Sequence, residues 1–358
     1  MRLASLFRTH EPLIAVDIGL SGVKLIELDT RGSAPELINL GSASLPSEVF
    51  HNNLIAKPEI VAEKLSALLE ANSISDRRTV TAVPAPAVFT KKVRMPKMTA
   101  AELAANIQLE VGNFIPHKID AVKIDFHVIG DAGKNQLDVL VVAVKDEVVD
   151  SYVQALAMAG LEVAVVDVDY FAVQNCFELG YPELKDRIVA LIDIGARYSG
   201  VNICRGGHSL FTGDVPLGGR VFTEFLVENL GVSFEQAEEM KRQAGKPEHQ
   251  KVAGLLAQKI ESVAVEFNRQ LSLFWNASGV EDGLDYIMLS GGSSALPGLQ
   301  SALQQKTGIE CQILNAFRGV ECGASFDPEH LADLKAQSAV AVGLGLRQIG
   351  DKGAAEYE

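Results

Sequence analysis

Apolar positions along this chain follow two periods. Continuous or alternating apolar runs mark strands, and apolar residues three and four apart mark helices. The run Ile14-Ala15-Val16 ends on Asp17, turns through Gly19-Leu20-Ser21-Gly22, and resumes as Val23-Lys24-Leu25-Ile26-Glu27-Leu28. This predicts two strands joined by a tight turn. Glu36 to Ser44 predicts a third strand, and Arg78 to Val83 a fourth, closed by Pro84 and Pro86. Between them, Lys57 to Asn72 predicts a helix. Pro58 lies in its first turn, and Ile60, Leu65, Leu68 and Leu69 share one face.

A different unit follows. Thr99 with Glu102 is a capping-box pattern for a helix running to about Gly112, with Pro116 blocking its continuation. Val122 to Ile129 and Gln136 to Val144 predict an antiparallel pair joined by a glycine-containing loop. A helix over Asp146 to Ala159, a strand over Leu161 to Val168 and a helix over Tyr170 to Glu178 complete this half. Residues 95–165 thus predict an αββαβ insert in the first domain.

The second half opens on a partial copy of the first hairpin. Ala190-Leu191-Ile192-Asp193-Ile194-Gly195 runs into Ala196-Arg197-Tyr198-Ser199-Gly200-Val201, and Asp193-Ile194-Gly195 aligns with Asp17-Ile18-Gly19. A strand over His208 to Asp214, then Gly218-Gly219 opening a helix over Val221 to Leu230, come next. Ser233 and Gln236 form a second capping box. A long helix over Lys251 to Ala277 carries Leu256, Ile260, Val263, Phe267 and Leu271 on one stripe. A strand over Leu284 to Leu289 ends in Ser290-Gly291-Gly292-Ser293-Ser294, with a helix starting near Pro297. A strand over Ile309 to Leu314 and a small-residue helix over Ala336 to Arg347 close the pattern.

Alone, the first hairpin is an ordinary glycine turn. Its chemistry gains meaning from the copy at Asp193. Glycines that can take φ > 0, a hydroxyl, an ammonium and a carboxylate at one hairpin tip suit a phosphate and its metal ion. Two such tips facing each other could hold one nucleotide between them, and duplicated halves point to duplicated domains. The Gly291-Gly292 tract before a helix start is a third place where backbone N–H groups meet a ligand.

Composition narrows the class. The 358 residues are 47% hydrophobic and 22% charged, enough for two globular domains. A net charge of −14 argues against a broad nucleic-acid surface. Cys176, Cys204, Cys311 and Cys322 have neither zinc nor disulfide-framework spacing and read as buried thiols of a reducing compartment. The seven histidines form no metal spacing. The longest clear apolar run, Leu140 to Val144, is far below the roughly 20 residues of a membrane span. The expectation is therefore a cytoplasmic protein that reaches a membrane only through partners, with a frayed N-terminus around Leu3, Leu6 and Phe7.

The three sites in this order resemble the actin/Hsp70/sugar-kinase class of nucleotide-binding folds. The insert resembles that of the FtsA-like branch, and the chain is similar above all to the PilM family of type IV pilus assembly proteins. The tracts that carry this are Val16 to Gly19 with Val23-Lys24-Leu25, Met95 to Glu102, Glu110-Val111-Gly112-Asn113-Phe114-Ile115-Pro116, Ser290 to Leu299, and Ala339 to Arg347. The resemblance implies an actin-like α/β fold. Residues 1–94 are its first domain and 95–165 the insert. Segments 166–187 and 325–350 return to the first domain, 188–324 form the second, and 351–358 form a disordered tail.

It also implies ATP and Mg²⁺ as cofactors. Ser21, Gly22, Val23 and Lys24 would cradle the β- and γ-phosphates, and Asp17 and Asp193 would hold Mg²⁺ through water. Ala196 and Arg197 would face the phosphates from the second domain, beside Gly218 and Gly219. Glu238 and Lys241 would contact ribose and adenine, and Gly291, Gly292 and Ser293 would line the adenosine. Glu110 is the candidate for positioning the attacking water. Asp167 and Asp169 read as a turn and an N-cap. Leu20 stands where relatives carry a small hydroxyl residue, and Arg197 where stronger ATPases carry a small or acidic one. The resemblance thus implies ATP binding more directly than ATP cleavage.

The implied partner is the cytoplasmic N-terminal peptide of PilN, with other inner-membrane and motor components of the pilus machine and self-association also compatible. Two alternatives share the fold. A small-molecule kinase needs an Asp-centred substrate motif between the two hairpins, and none stands out. An FtsA-like filament protein usually ends in an amphipathic membrane helix, whereas Gly350 to Glu358 is acidic and polar.

Overall fold

The apolar run at the start of the chain becomes β1 (Ile14–Gly19), which is buried along most of its length. It folds back on β2 (Gly22–Asp29), and β3 (Glu36–Ser44) extends the meander. The computed structural model describes residues 13–110, 112, 121–246, 249–279 and 282–350. A two-residue-per-strand hairpin, β4 (Phe50–His51) and β5 (Leu54–Ile55), precedes α1 (Pro58–Ala71) and β6 (Arg78–Val83). Then come β7 (Val88–Pro96), α2 (Ala100–Glu110), β8 (Val122–Gly133), β9 (Gln136–Lys145), α3 (Asp146–Met158) and β10 (Glu162–Val168).

Helix α4 (Asp169–Gly180) leads to the second half. There β11 (Val189–Ile194), β12 (Ser199–Arg205) and β13 (His208–Val215) repeat the opening meander. They are followed by α5 (Arg220–Leu230), α6 (Phe234–Arg242), α7 (Gln250–Ser278), β14 (Tyr286–Ser290), α8 (Leu299–Thr307) and β15 (Glu310–Ile313). The chain closes with β16 (Glu321–Cys322), α9 (Pro328–Leu334) and α10 (Ala339–Gly345).

The two largest sheets have the orders β10-β6-β1-β2-β3-β16 and β13-β12-β11-β14-β15. Each is built around the same junction. β1 pairs antiparallel with β2 and parallel with β6, and β11 pairs antiparallel with β12 and parallel with β14. A strand held on both edges and covered on both faces must be apolar throughout, which is why these two runs lack alternation. The carboxylates come where each strand leaves the core.

Helices α4 and α10 pack against each other at the domain junction. One core cluster passes through them and takes Ala15 and Ile26 from the first sheet and Leu191 and Met288 from the second. The small residues of α10 permit this approach: a side chain at Gly343 would run into the backbone of Ala172, and one at Gly345 would meet Leu28.

The insert is smaller than the local pattern predicts. It is a three-stranded sheet in the order β7-β9-β8, with α2 packed on it through Leu103 and Ile107. β7, which the pattern misses, starts the insert at Val88. Its exposed Lys91, Lys92 and Arg94 disguise the strand. Conversely, α3 and β10 leave the insert. β10 pairs parallel with β6 from Glu162↔Arg78 to Val168↔Val83, and α3 packs on α1. Local periodicity identifies a strand but not its partner, so the expected boundaries of 95–165 are corrected by pairing across some eighty residues of chain.

β16 likewise returns to the first sheet, pairing Glu321 with Glu36 inside the stretch assigned to the second domain. Among the cysteines, Cys176, Cys204 and Cys311 are buried, whereas Cys322 is exposed. Among the described residues no helix is long and apolar enough to cross a membrane. The helix stop at Pro116, the N-terminal apolar residues and the acidic tail lie outside the described residues.

Candidate functional site

The β1–β2 turn forms one wall. Gly19 and Gly22 close the hairpin as a register pair, and Asp17 stands opposite Lys24. Lys24 Nζ donates to Asp17 Oδ2 at 3.1 Å, with both side chains largely shielded. The glycines are not there for left-handed backbone, since neither has positive φ. At Gly22 the reason is steric: a Cβ would lie 2.6 Å from the carbonyl oxygen of Ala43 on β3. Ser21 is exposed at the turn. Val23 is fully buried in the core, so only its backbone is available to the cleft.

The β11–β12 turn forms the facing wall. Ser290, at the end of β14, donates from Oγ to Asp193 Oδ1 at 2.7 Å. The turn is clamped from outside. Gly219 N–H donates to Gly195 O at 2.8 Å and Arg220 N–H to Ala196 O at 2.7 Å. Gly218 lies so close that a Cβ would sit 2.6 Å from the Ala196 carbonyl carbon. Gly291, with φ +84°, would place a Cβ 2.5 Å from Ile194 O. These glycines let three chain segments meet at the root of one turn.

A polar cluster adjoins this turn. Lys241 is buried, and its Nζ donates to Gly219 O at 3.2 Å, Thr223 Oγ1 at 2.9 Å and Glu238 Oε2 at 2.7 Å. Thr223 Oγ1 bonds Glu238 Oε2 at 2.6 Å. Ser293 Oγ donates to Gly195 O at 3.1 Å. Gly219 sits under both Ser293 and Lys241, where a side chain would collide. Burial pulls the Lys241 ammonium below its ordinary value, with the Glu238 carboxylate opposing that shift. The capping box that starts α6 at Ser233 and Gln236 sets Glu238 and Lys241 one turn further along.

The carboxylates feel one another across the cleft. Burial raises Asp193 to about 6, and the negative charge of Asp17 adds to the rise, while Ser290 and Lys24 oppose it. A third carboxylate, Asp169, opens α4. Burial raises it to about 8, with the charge of Asp193 adding to the rise. It accepts from Ala85 N–H at 2.9 Å, Tyr170 N–H at 2.6 Å and Tyr198 OH at 3.2 Å. Asp169 therefore ties the end of β6 and the β11–β12 hairpin to the start of the connecting helix. Sequence reading treats it as a cap; its place between an apolar strand and the interdomain helix was the available signal.

The structure thus gathers Asp17 and Lys24 on one wall, and Asp193, Ala196, Arg197, Gly218, Gly219, Glu238, Lys241, Gly291 and Ser293 on the other. Gly292 opens the short helical turn that carries Ser293. Glu110 stands apart, exposed at the last residue of α2 on the insert. Arg197 reaches away from its own domain: its Nη2 donates to the carbonyl of Asn52 at 3.1 Å and touches Asn53 Oδ1 at 3.5 Å, both in the β4–β5 turn. Among the described residues no group of three or more His, Cys, Asp or Glu could hold a metal ion. Asp17 and Asp193 do fit Mg²⁺, a hard cation commonly held by one or two carboxylates while water and substrate phosphate complete its shell.

Two repeated hairpins facing across a cleft, joined through a pair of central helices, define an α/β protein of the actin-like ATPase fold. The profile of the family described as type IV pilus assembly protein PilM matches residues 15–349, and the chain belongs to that family. A solved PilM-PilN type IV pilus biogenesis complex superposes with a TM-score of 0.84 at 29% identity, covering 94% of this chain and 98% of the other. The cell division protein FtsA of Bacillus subtilis (strain 168) is 26% identical over 144 residues, 34% of this chain and 32% of FtsA. The chain thus spans about a third of that curated relative. MreB5 of Spiroplasma citri bound to ADP shares the fold, with a TM-score of 0.51 at 12% identity and 96% of each chain covered.

Proposed function

We propose that the cleft binds ATP with Mg²⁺ and that the protein is an actin-like, nucleotide-dependent component of the type IV pilus assembly complex. The observation that carries this is the facing pair Asp17 and Asp193, with Lys24 beside the first and backbone turns around both. Two carboxylates close enough for the charge of Asp17 to act on Asp193 call for a cation, and the lysine and turn amides call for an anion. A metal-bound polyphosphate supplies both.

In this reading Ser21, Gly22, the Val23 backbone and Lys24 hold the β- and γ-phosphates, and Asp17 and Asp193 hold hydrated Mg²⁺. Ala196, Arg197, Gly218 and Gly219 border the phosphates. Glu238 and Lys241 meet ribose and adenine, and Gly291, Gly292 and Ser293 line the adenosine. The bound metal would offset the negative charge that the two carboxylates and the phosphates bring together. Retention of the triphosphate dominates over its cleavage: Leu20 adds no hydroxyl to the turn, and Glu110, the candidate for water activation, sits on the insert.

Family membership and the similarity to a PilM-PilN complex support a matching partner here, the cytoplasmic N-terminal segment of PilN. That segment would hold the protein at the cytoplasmic face of the inner membrane. Titration calorimetry of a synthetic PilN N-terminal peptide into the intact protein tests the partner, and fluorescent ATP tests the cleft. Saturable binding in both is the expected result. No heat with the peptide removes the pilus-adaptor reading, and no ATP binding removes the nucleotide reading.

A further inference from the structure

The side chain of Arg197 belongs to the second domain but is anchored on the first. Its backbone has little freedom, because Gly218, Gly219 and Arg220 grip the turn that bears it through the carbonyls of Gly195 and Ala196. The guanidinium, by contrast, is exposed at the end of a long flexible stem. It holds the Asn52 carbonyl at 3.1 Å and Asn53 Oδ1 at 3.5 Å. Those acceptors are uncharged, and a guanidinium binds a phosphate in a stronger, often bidentate, manner.

The anchor point is itself a defined structure. Asn52 has φ +54°, a left-handed conformation that Asn tolerates better than most residues. The hairpin continues into Ile55, whose N–H donates to Ser151 Oγ on α3 at 3.3 Å, and Ser151 Oγ donates to Val148 O at 2.8 Å. Ala56 N–H closes on Val49 O at 2.8 Å. Helix α3 follows directly on β9 of the insert. A contact at Asn52 is therefore two steps from the insert.

We propose that Arg197 is a γ-phosphate sensor with two alternative anchors. Without a terminal phosphate it latches the β11–β12 turn to the β4–β5 hairpin across the cleft mouth. With ATP bound it turns to the γ-phosphate and releases the hairpin, which rests on α3. This rests on the nucleotide reading of the cleft and adds to it the discrimination of triphosphate from diphosphate and a route from the phosphates toward the insert.

The experiment uses the full-length protein, Arg197→Ala and Arg197→Lys, with ATP and ADP affinities and hydrogen exchange of the 52–56 amides measured together. Wild type is expected to favour ATP over ADP by about tenfold, the size of one charge-assisted contact. Arg197→Ala should lose that preference, and Arg197→Lys should recover part of it. Exchange at 52–56 should be slow in the ADP state, faster with ATP, and fast in every state of Arg197→Ala. An unchanged ATP-to-ADP ratio in Arg197→Ala overturns the sensor, as does hairpin exchange in wild type that ATP does not alter. If wild type binds neither nucleotide, the cleft reading itself fails and the sensor with it.

Discussion

Lys24 stands directly opposite Asp17 across the β1–β2 register, with Nζ 3.1 Å from Oδ2. One ammonium therefore screens one of two carboxylates that face each other over the cleft. Removing it leaves Asp17 and Asp193 to repel, and withdraws the cation that a phosphate would meet. Lys24→Ala should weaken ATP binding at least tenfold, read by titration of a fluorescent ATP analogue. Its thermal stability should fall as well, because both side chains are largely shielded and the Asp17 carboxylate is left without its partner. Equal ATP affinity in wild type and variant would remove Lys24 from the site.

Asp193 carries a pH signature. Its carboxyl lies near 6, held down in part by the Ser290 hydroxyl. Protonation removes the charge that would attract a metal, so Mg²⁺-dependent ATP affinity should fall as pH drops through about 6. Ser290→Ala removes a hydrogen bond to the charged form and should shift that midpoint to higher pH. Affinity profiles between about pH 5.5 and 8 for both proteins decide this. Coincident midpoints would mean that Asp193 does not govern binding.

Asp169 predicts the opposite behaviour for stability. Its value rises from 3.8 to about 8 on folding, so the native state keeps a proton that the unfolded chain has lost. Its stabilising contribution is complete below about 4 and is lost as pH rises toward about 8. Asp169→Asn, which cannot ionise, should flatten the decline in urea-unfolding free energy over that window. A variant that declines as steeply as wild type would show that Asp169 ionises freely.

The glycines at the turn root are a steric prediction. Gly218→Ala forces a methyl against the Ala196 backbone, and Gly291→Ala adds strain from φ +84° to a clash with Ile194. Each should cost about 1–3 kcal/mol or more in unfolding free energy, with Gly291→Ala the larger. Gly130→Ala, in open space without positive φ, should stay within roughly 0.5–1 kcal/mol of wild type. Similar losses at all three positions would mean that close packing is not why Gly218 and Gly291 are there.

Much of this fold was legible from pattern because its signals are local. The capping box at Thr99 and Glu102 forms as drawn, with Thr99 N–H donating to Glu102 Oε2 at 2.9 Å. The β1 and β11 runs are apolar throughout because each is enclosed on both edges and both faces, and Asp-Ile-Gly marks where each strand leaves the core. The duplicated hairpin, and from it the cleft, followed from residue order alone.

Other features depend on distant segments. β10 and α3 look like parts of the insert until β10 is seen to pair with β6. Nothing near Asp169 in sequence reveals that Ala85 and Tyr198 converge on it. Arg197 reads as a phosphate ligand, yet its hydrogen bonds go to Asn52 and Asn53, some 145 residues earlier in the chain. Periodicity, caps and glycine turns depend on neighbours a few residues apart, so the sequence by itself determined most of the elements and the two Asp-Ile-Gly hairpins. Strand partners, carboxylate burial and the reach of an arginine depend on what distant segments bring to the same few ångströms. Only the tertiary structure decided the size of the insert, the third carboxylate and the hydrogen bond from Arg197 to Asn52.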